Sequence, residues 1–172
     1  MLGDLTEKIQ SSQGKFEQLI GKIPGYAGYK QKEQRREADK LLRLHVARQY
    51  DEQLDRLNRL QYQLTTQGDL TGMMVLERAV SKLQLLIDRI RTASYGYAGL
   101  FDALKVDEDV LDKLYEFDQG MLAGVETLAA LLDELTDIVN NAHPAADAAN
   151  KLIGELERLH HAFGERQEVI LR

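Results

Sequence analysis

The feature that most constrains this chain is the spacing of its apolar residues, which recur at alternating steps of three and four. Such spacing places side chains on one face of an α-helix, whereas a half-buried strand needs strict apolar–polar alternation, which no segment shows. The clearest seam comprises Met73, Leu76, Val80, Leu83, Ile87 and Ile90. Two further seams comprise Met121, Val125, Leu128, Leu132, Leu135 and Val139, and Ala145, Ala149, Leu152, Leu156, Leu159, Phe163, Arg166 and Ile170. The pattern predicts an all-α protein.

Helix-ending and helix-starting residues divide the chain into long segments. Gly68 fits a left-handed C-cap, Asp69 or Thr71 fits an N-cap, and Pro144 fits the first turn of a helix. The predicted helices span residues 30–66, 71–94, 107–140 and 144–171. Because the connections at 67–70 and 141–143 are short, the helices that they join are expected to be antiparallel neighbours. The sequence therefore predicts an up-down-up-down antiparallel four-helix bundle over residues 30–172.

Residues 1–23 are predicted to form an additional N-terminal amphipathic helix, and residues 24–29 a Gly/Tyr hinge. Its apolar residues mostly follow helical spacing: Leu2, Leu5, Ile9, Phe16, Leu19, Ile20 and Ile23. Because exposing such a face to water is unfavourable, the bundle's own groove, a second subunit or an anionic bilayer is expected to cover it. Three lysines attract an anionic surface by only about 1 kcal/mol each, so docking on protein is the prediction.

A near-repeat flanks the predicted first hairpin. The sequence of residues 25–29, Gly-Tyr-Ala-Gly-Tyr, recurs as Gly-Tyr-Ala-Gly-Leu at 96–100. Both copies precede an odd-numbered helix, so both are predicted at one end of the bundle. That end would collect Tyr26, Tyr29, Tyr95, Tyr97 and Phe101. The glycines suit tight turns and the tyrosines suit capping of the core, while a duplicated hairpin or an aromatic patch for a partner stays an alternative.

Charge is divided unevenly along the chain. The formal net charge is −6, yet residues 1–48 carry ten basic and six acidic residues. Arg35 and Arg36 lie at the start of the predicted first helix, where basic side chains oppose the helix dipole. An acidic tract at the start of the third helix, a second protein molecule or an anionic membrane would each compensate them. The acidic remainder of the chain disfavours nucleic acid as a partner.

Two glycines interrupt the predicted third helix. Gly120 and Gly124 each cost about 1 kcal/mol relative to alanine in a helix interior. A close approach of a neighbouring helix is the preferred interpretation of the pair. The alternative is a gap that leaves room for a ligand.

Candidate catalytic and metal-binding motifs are scarce. The chain has no cysteine, which excludes thiol nucleophiles, Cys-ligated zinc and disulfides. Di-metal helical bundles use two Glu-x-x-His motifs, and this chain contains one, from Glu157 to His160. The His160-His161 pair is predicted to lie on the surface beside the apolar seam. We therefore predict no catalytic residue, no metal site, no cofactor and no enzymatic activity.

The function expected from these features is a non-enzymatic helical-bundle interaction or scaffold protein that engages a protein partner or itself. The predicted contact residues are Phe16, Ile20, Tyr26, Tyr29, Arg35, Arg36, Tyr95, Tyr97 and Phe101. The sequence begins with no secretory signal and contains no membrane-spanning run, so a cytoplasmic location is expected. An amphipathic helix ahead of long antiparallel helices resembles the general plan of membrane-remodelling coiled-coil proteins, so a peripheral membrane role is one alternative. A ferritin-like metal-binding bundle is the other.

Overall fold

The computed structural model describes the backbone of residues 32–93 and 108–171, and side chains over 42–93 and 116–166. The described residues contain four helices and no strand, which confirms the all-α prediction for this part of the chain. The helices are α1 (Lys32–Gln67), α2 (Leu70–Thr92), α3 (Glu108–Asn140) and α4 (Ala146–Leu171). Each predicted helix boundary lies within two residues of the observed one. None of these helices has both the length and the apolarity that crossing a bilayer requires.

The turn between α1 and α2 follows the predicted capping chemistry. Gly68 has a positive φ of 80°, a conformation that glycine adopts without a Cβ penalty. Asp69 is the N-cap of α2, because its Oδ1 accepts a hydrogen bond from the Gly72 amide at 2.9 Å. Its Oδ2 accepts another from the Ala145 amide at 3.0 Å. One carboxylate therefore holds the start of α2 against the start of α4.

Contacts between the helices define their arrangement. Helix α1 packs against α2 and α3, and α4 packs against the same two helices. Hydrogen bonds and ion pairs join three of these pairs of helices. The contacts are Tyr50 with Met121 and Gln63 with Asn140 between α1 and α3, Asp69 with Ala145 and Lys82 with Glu157 between α2 and α4 or the residues just before them, and Asp118 with Arg166 and Glu134 with Lys151 between α3 and α4.

The predicted seams form most of the core. Every predicted seam position of α3 is buried, and so is every described seam position of α4, including Arg166. Helix α2 differs slightly from the prediction, because Met73 and Val80 are only partly buried. Ala79 and Leu86 are fully buried in their place. The face of α2 that meets the core is therefore rotated from the predicted seam, since α2 packs against both α1 and α4.

The two glycines of α3 have different surroundings. A Cβ on Gly124 would clash with the Leu159 side chain of α4 and lie 2.8 Å from the Tyr50 hydroxyl of α1. The predicted close helix approach is therefore confirmed at Gly124. Gly120 is exposed, and a Cβ there would meet nothing within 4 Å.

Several predictions concern residues outside those described. The amphipathic segment 1–23, the hinge 24–29 and the connection 95–106 are among them. Arg35 and Arg36 lie in α1, but their side chains are not among those described.

Candidate functional site

All nine predicted contact side chains lie outside the described ones: Phe16, Ile20, Tyr26, Tyr29, Arg35, Arg36, Tyr95, Tyr97 and Phe101. Within the described residues, a group of polar side chains and one aromatic ring lies where α4 meets α2 and α3. We call it the His160 cluster; it comprises Lys82, Arg89, Asp118, Glu157, His160, Phe163 and Arg166. On α4, positions 157, 160, 163 and 166 are each three residues from the next, so each side chain adjoins the following one on the helix surface.

His160 uses both ring nitrogens in contacts with α2. Its Nδ1 lies 2.9 Å from Nη1 of Arg89, and its Nε2 lies 2.8 Å from the backbone carbonyl oxygen of Lys82. A guanidinium only donates and a carbonyl oxygen only accepts hydrogen bonds. Nδ1 therefore accepts from Arg89, while Nε2 carries the proton and donates to Lys82. The partners thus select the neutral imidazole with its proton on Nε2.

The surroundings of His160 also favour its neutral form electrostatically. Burial lowers the pKa of His160 below its ordinary value, and the positive charges of Arg89 and Lys82 lower it further. The hydrogen bond to the Lys82 carbonyl opposes this shift without reversing it. The prediction of a surface histidine pair is therefore wrong for His160, which is half-buried between helices. His161 is exposed, and its Nδ1 lies 3.7 Å from Glu165.

Two arginines flank the Phe163 ring beside His160. The guanidinium carbon of Arg89 lies 5.2 Å from the ring centroid, and that of Arg166 lies 5.9 Å from it. Both distances are within the range of a cation–π interaction. Arg89 also donates to the His160 backbone oxygen at 3.2 Å, so its position on the ring is fixed by α4.

Arg166 forms a buried ion pair with Asp118 of α3. The distance from Nε to Oδ1 is 2.9 Å, and the two side chains are only 1% and 9% exposed. Two charges removed from water are tolerated when each is hydrogen-bonded to the other. This pair joins α3 to α4 at the end of the described core that lies nearest the Phe163 ring.

The cluster does not have the arrangement of a metal centre. Glu157 lies 3.1 Å from the Lys82 ammonium, and both nitrogens of His160 contact protein groups. The single Glu-x-x-His motif is therefore engaged by α2. Across the described part of the chain, no group of three or more histidines, aspartates or glutamates is placed to hold a metal ion.

A second buried polar group, the hydroxyl of Tyr50, has a structural role. It donates to the Met121 backbone oxygen at 2.7 Å and is held where Gly124 leaves space for it. Burial raises the pKa of Tyr50, and the nearby Glu155 carboxylate raises it further. The hydroxyl therefore remains protonated and links α1 to α3.

Large apolar side chains are exposed on only one of the two hairpins within the described residues. Leu44 and Tyr62 lie on α1, and Leu70, Met74 and Leu85 lie on α2. Eighteen residues are five helical turns, so Leu44 and Tyr62 share one face of α1, and the three α2 residues lie within an arc of about 60°. On each helix this face is opposite the buried seam. We call these five residues the outer apolar face.

Sequence reasoning missed the His160 cluster, although one signal pointed to it. Arg166 occupies a seam position, and a buried arginine requires an acidic partner on a neighbouring helix. That partner, Asp118, was visible only as one member of an acidic tract. The contact of His160 with α2 depends on which helices are neighbours, which periodicity does not specify.

Comparison with known proteins yields no match to a protein-family model, to a curated protein or to a solved structure. The class of protein that the described residues define is an all-helical chain with a closed apolar core.

Proposed function

We propose that this chain is a non-enzymatic helical interaction protein that engages a protein partner or a second copy of itself through residues 1–23 and its Gly/Tyr-rich end. In this proposal the four helices form an up-down-up-down bundle, residues 1–23 form an additional amphipathic helix, and the protein is cytoplasmic. The contact residues are the nine predicted from the sequence, with Phe16 and Ile20 at the centre of the N-terminal apolar face.

The observation that carries the proposal is the outer apolar face on α1 and α2. Tyr62, Leu70 and Met74 are exposed by 73%, 63% and 63%, whereas buried side chains fill the side of each helix that meets the core. Contiguous exposed apolar surface is typical of protein contact sites, and within the described residues the large exposed apolar side chains lie on this hairpin. Residues 1–31 continue directly into α1 of that same hairpin, so the N-terminal apolar residues are tethered to it.

Chemistry favours protein over membrane as the surface that residues 1–23 contact. A helix of 23 residues would be about 35 Å long, which is enough to cover the roughly 27 Å between Leu44 and Tyr62 along α1. Full burial of each apolar side chain contributes about 1.5–3 kcal/mol and is not screened by salt. The charge contribution of the lysines at an anionic bilayer is smaller, and Glu7 and Glu17 reduce it.

The test compares two double variants of the full chain. Phe16→Asp with Ile20→Asp places two charges on the N-terminal apolar face. Ser11→Asp with Gln18→Asp adds the same two charges on the opposite side of the predicted helix and is the matched control. Sedimentation velocity reports the assembly mass, and thermal melting by circular dichroism reports docking within the chain.

The proposal expects a reduced assembly mass or a lower melting temperature in the apolar-face variant alone. Co-sedimentation with vesicles of anionic phospholipid, at low and high salt, separates the membrane alternative. If the apolar-face variant loses only vesicle binding, the peripheral membrane role replaces the proposal. Equal behaviour of the two variants in all three measurements would refute a contact through Phe16 and Ile20.

The ferritin-like alternative has a separate test. Elemental analysis of the purified protein measures iron and manganese directly. Because Glu157 and His160 already contact Lys82 and Arg89, we expect no stoichiometric metal. A stoichiometric metal content would overturn the non-enzymatic proposal.

A further inference from the structure

The His160 cluster places a neutral imidazole between cationic groups of α2. We propose that His160 is a proton-operated contact, whose neutral form holds the C-terminal half of α2 against α4 and whose protonation releases it. This inference concerns only described residues and is independent of residues 1–23.

The hydrogen bonds of His160 explain why a proton would break the contact. In the neutral form, Nδ1 accepts from Arg89 at 2.9 Å. A proton on Nδ1 would turn this acceptor into a donor that faces the donor group of Arg89. The imidazolium and the guanidinium would also repel each other, since both are positively charged at a short distance. Arg89 cannot withdraw freely, because the His160 backbone oxygen and the Phe163 ring hold it.

The remaining charged groups of the cluster do not favour an imidazolium. On α2, Lys82 and Arg89 are both cationic. On α4, the Glu157 carboxylate lies 3.1 Å from the Lys82 ammonium, and Arg166 lies on the Phe163 ring. On α3, the carboxylate of Asp118 binds Arg166 at 2.9 Å. Both carboxylates of the cluster are thus engaged by other cations.

The direction of the pH effect follows from proton linkage. Since burial and the two cations lower the pKa of His160 in the folded protein, the unfolded chain binds the proton more readily. The stability that His160 contributes is fully present above its unfolded pKa of about 6.5. It is lost as the pH falls from that value through the lower pKa of the folded state.

The release is local to the contact between α2 and α4. Near its C-terminal end, α2 is also held by α1, because Nη1 of Arg43 donates to the Ile90 backbone oxygen at 3.3 Å. At the other end of α2, the Asp69 carboxylate holds the start of the helix against the Ala145 amide. This contact does not involve a histidine. Protonation of His160 is therefore expected to loosen α2 from α4 between residues 82 and 92, while α1 and α2 stay together.

The test follows amide hydrogen exchange of α2 in the parent and two variants. His160→Gln retains an acceptor for Arg89 and a donor for the Lys82 oxygen but has no proton to gain. His161→Gln removes the exposed neighbour and is the matched control. The pH is lowered from about 6.5 to the pKa of His160 in the folded protein. Over this range, the protection factors at residues 82–92 should fall by up to about tenfold per pH unit in the parent and in His161→Gln.

His160→Gln should keep constant protection factors over the same pH range. A loss of protection equal to that of the parent would overturn the proposal, because the pH dependence would then come from another group. A titration of the His160 ring protons by NMR in the parent needs no variant to fold. The midpoint for His160 should lie below the ordinary value of about 6.5, at the lower end of the pH range over which protection is lost. A midpoint at or above about 6.5 would also overturn the proposal.

Discussion

Replacing Gly124 with alanine tests the close approach of three helices in the described core. The added Cβ would clash with the Leu159 side chain and lie 2.8 Å from the Tyr50 hydroxyl. Leu159 and Tyr50 are both 0% exposed, so neither side chain can move toward solvent without disturbing the core. Tyr50 is further held by its hydrogen bond of 2.7 Å to the Met121 oxygen.

The size of the effect follows from three contributions. Overpacking a core costs about 1–3 kcal/mol. Weakening the buried Tyr50 hydrogen bond adds about 1 kcal/mol. Alanine stabilises the helix by about 1 kcal/mol relative to glycine, because it is the better helix former. We therefore expect Gly124→Ala to lower the free energy of unfolding by about 1–3 kcal/mol, or the melting temperature by roughly 2–12 °C.

Gly120→Ala is the matched control, one helical turn earlier. A Cβ there meets nothing within 4 Å, so only the helix-propensity gain applies. We expect this variant to be more stable than the parent by about 0.5–1 kcal/mol. Urea denaturation followed by circular dichroism measures both changes. If Gly124→Ala is as stable as Gly120→Ala, the helices are not packed closely at Gly124 and the reasoning is refuted.

Two further predictions concern burial of charge. Leu83→Asp should unfold the protein, because Leu83 is 0% exposed and an unpaired charge there costs several kcal/mol against a total stability of about 5–15 kcal/mol. Ser81→Asp, at an exposed position of the same helix outside the outer apolar face, should melt like the parent. Asp118→Ala should lower the free energy of unfolding by about 3–5 kcal/mol in urea denaturation, because it removes the buried carboxylate that binds Arg166. Glu134→Ala removes an exposed ion pair with Lys151 and should lower it by at most about 1 kcal/mol. Equal losses from either pair of variants would contradict the burial on which these expectations rest.

Local sequence predicted the helices and most of the core because both depend on short-range periodicity. The seam of α3 from Met121 to Val139 is buried at every predicted position. The turn at Gly68 and Asp69 followed from residue chemistry alone, since a positive φ favours glycine and an exposed helix amide favours a carboxylate acceptor. These features need no knowledge of which helices are neighbours.

The polar cluster depended on information that the periodicity does not contain. The periodicity predicts His160 on the surface, because Leu156, Leu159 and Phe163 fill the seam around it. Its actual neighbours, Arg89 and the Lys82 carbonyl, are more than 70 residues away and become its partners only when α2 packs beside α4.

The sequence by itself determined where the helices begin and end, which faces are apolar, and that a glycine at position 124 permits a close approach. Tertiary structure alone decided the neighbours: α1 beside α3, α2 beside α4, and hence the partners of each buried polar group. The physical reason is that hydrophobic burial is non-directional and marks only a face. Hydrogen bonds and buried ion pairs require particular atoms at about 3 Å, so their identity follows only from the packing of whole helices.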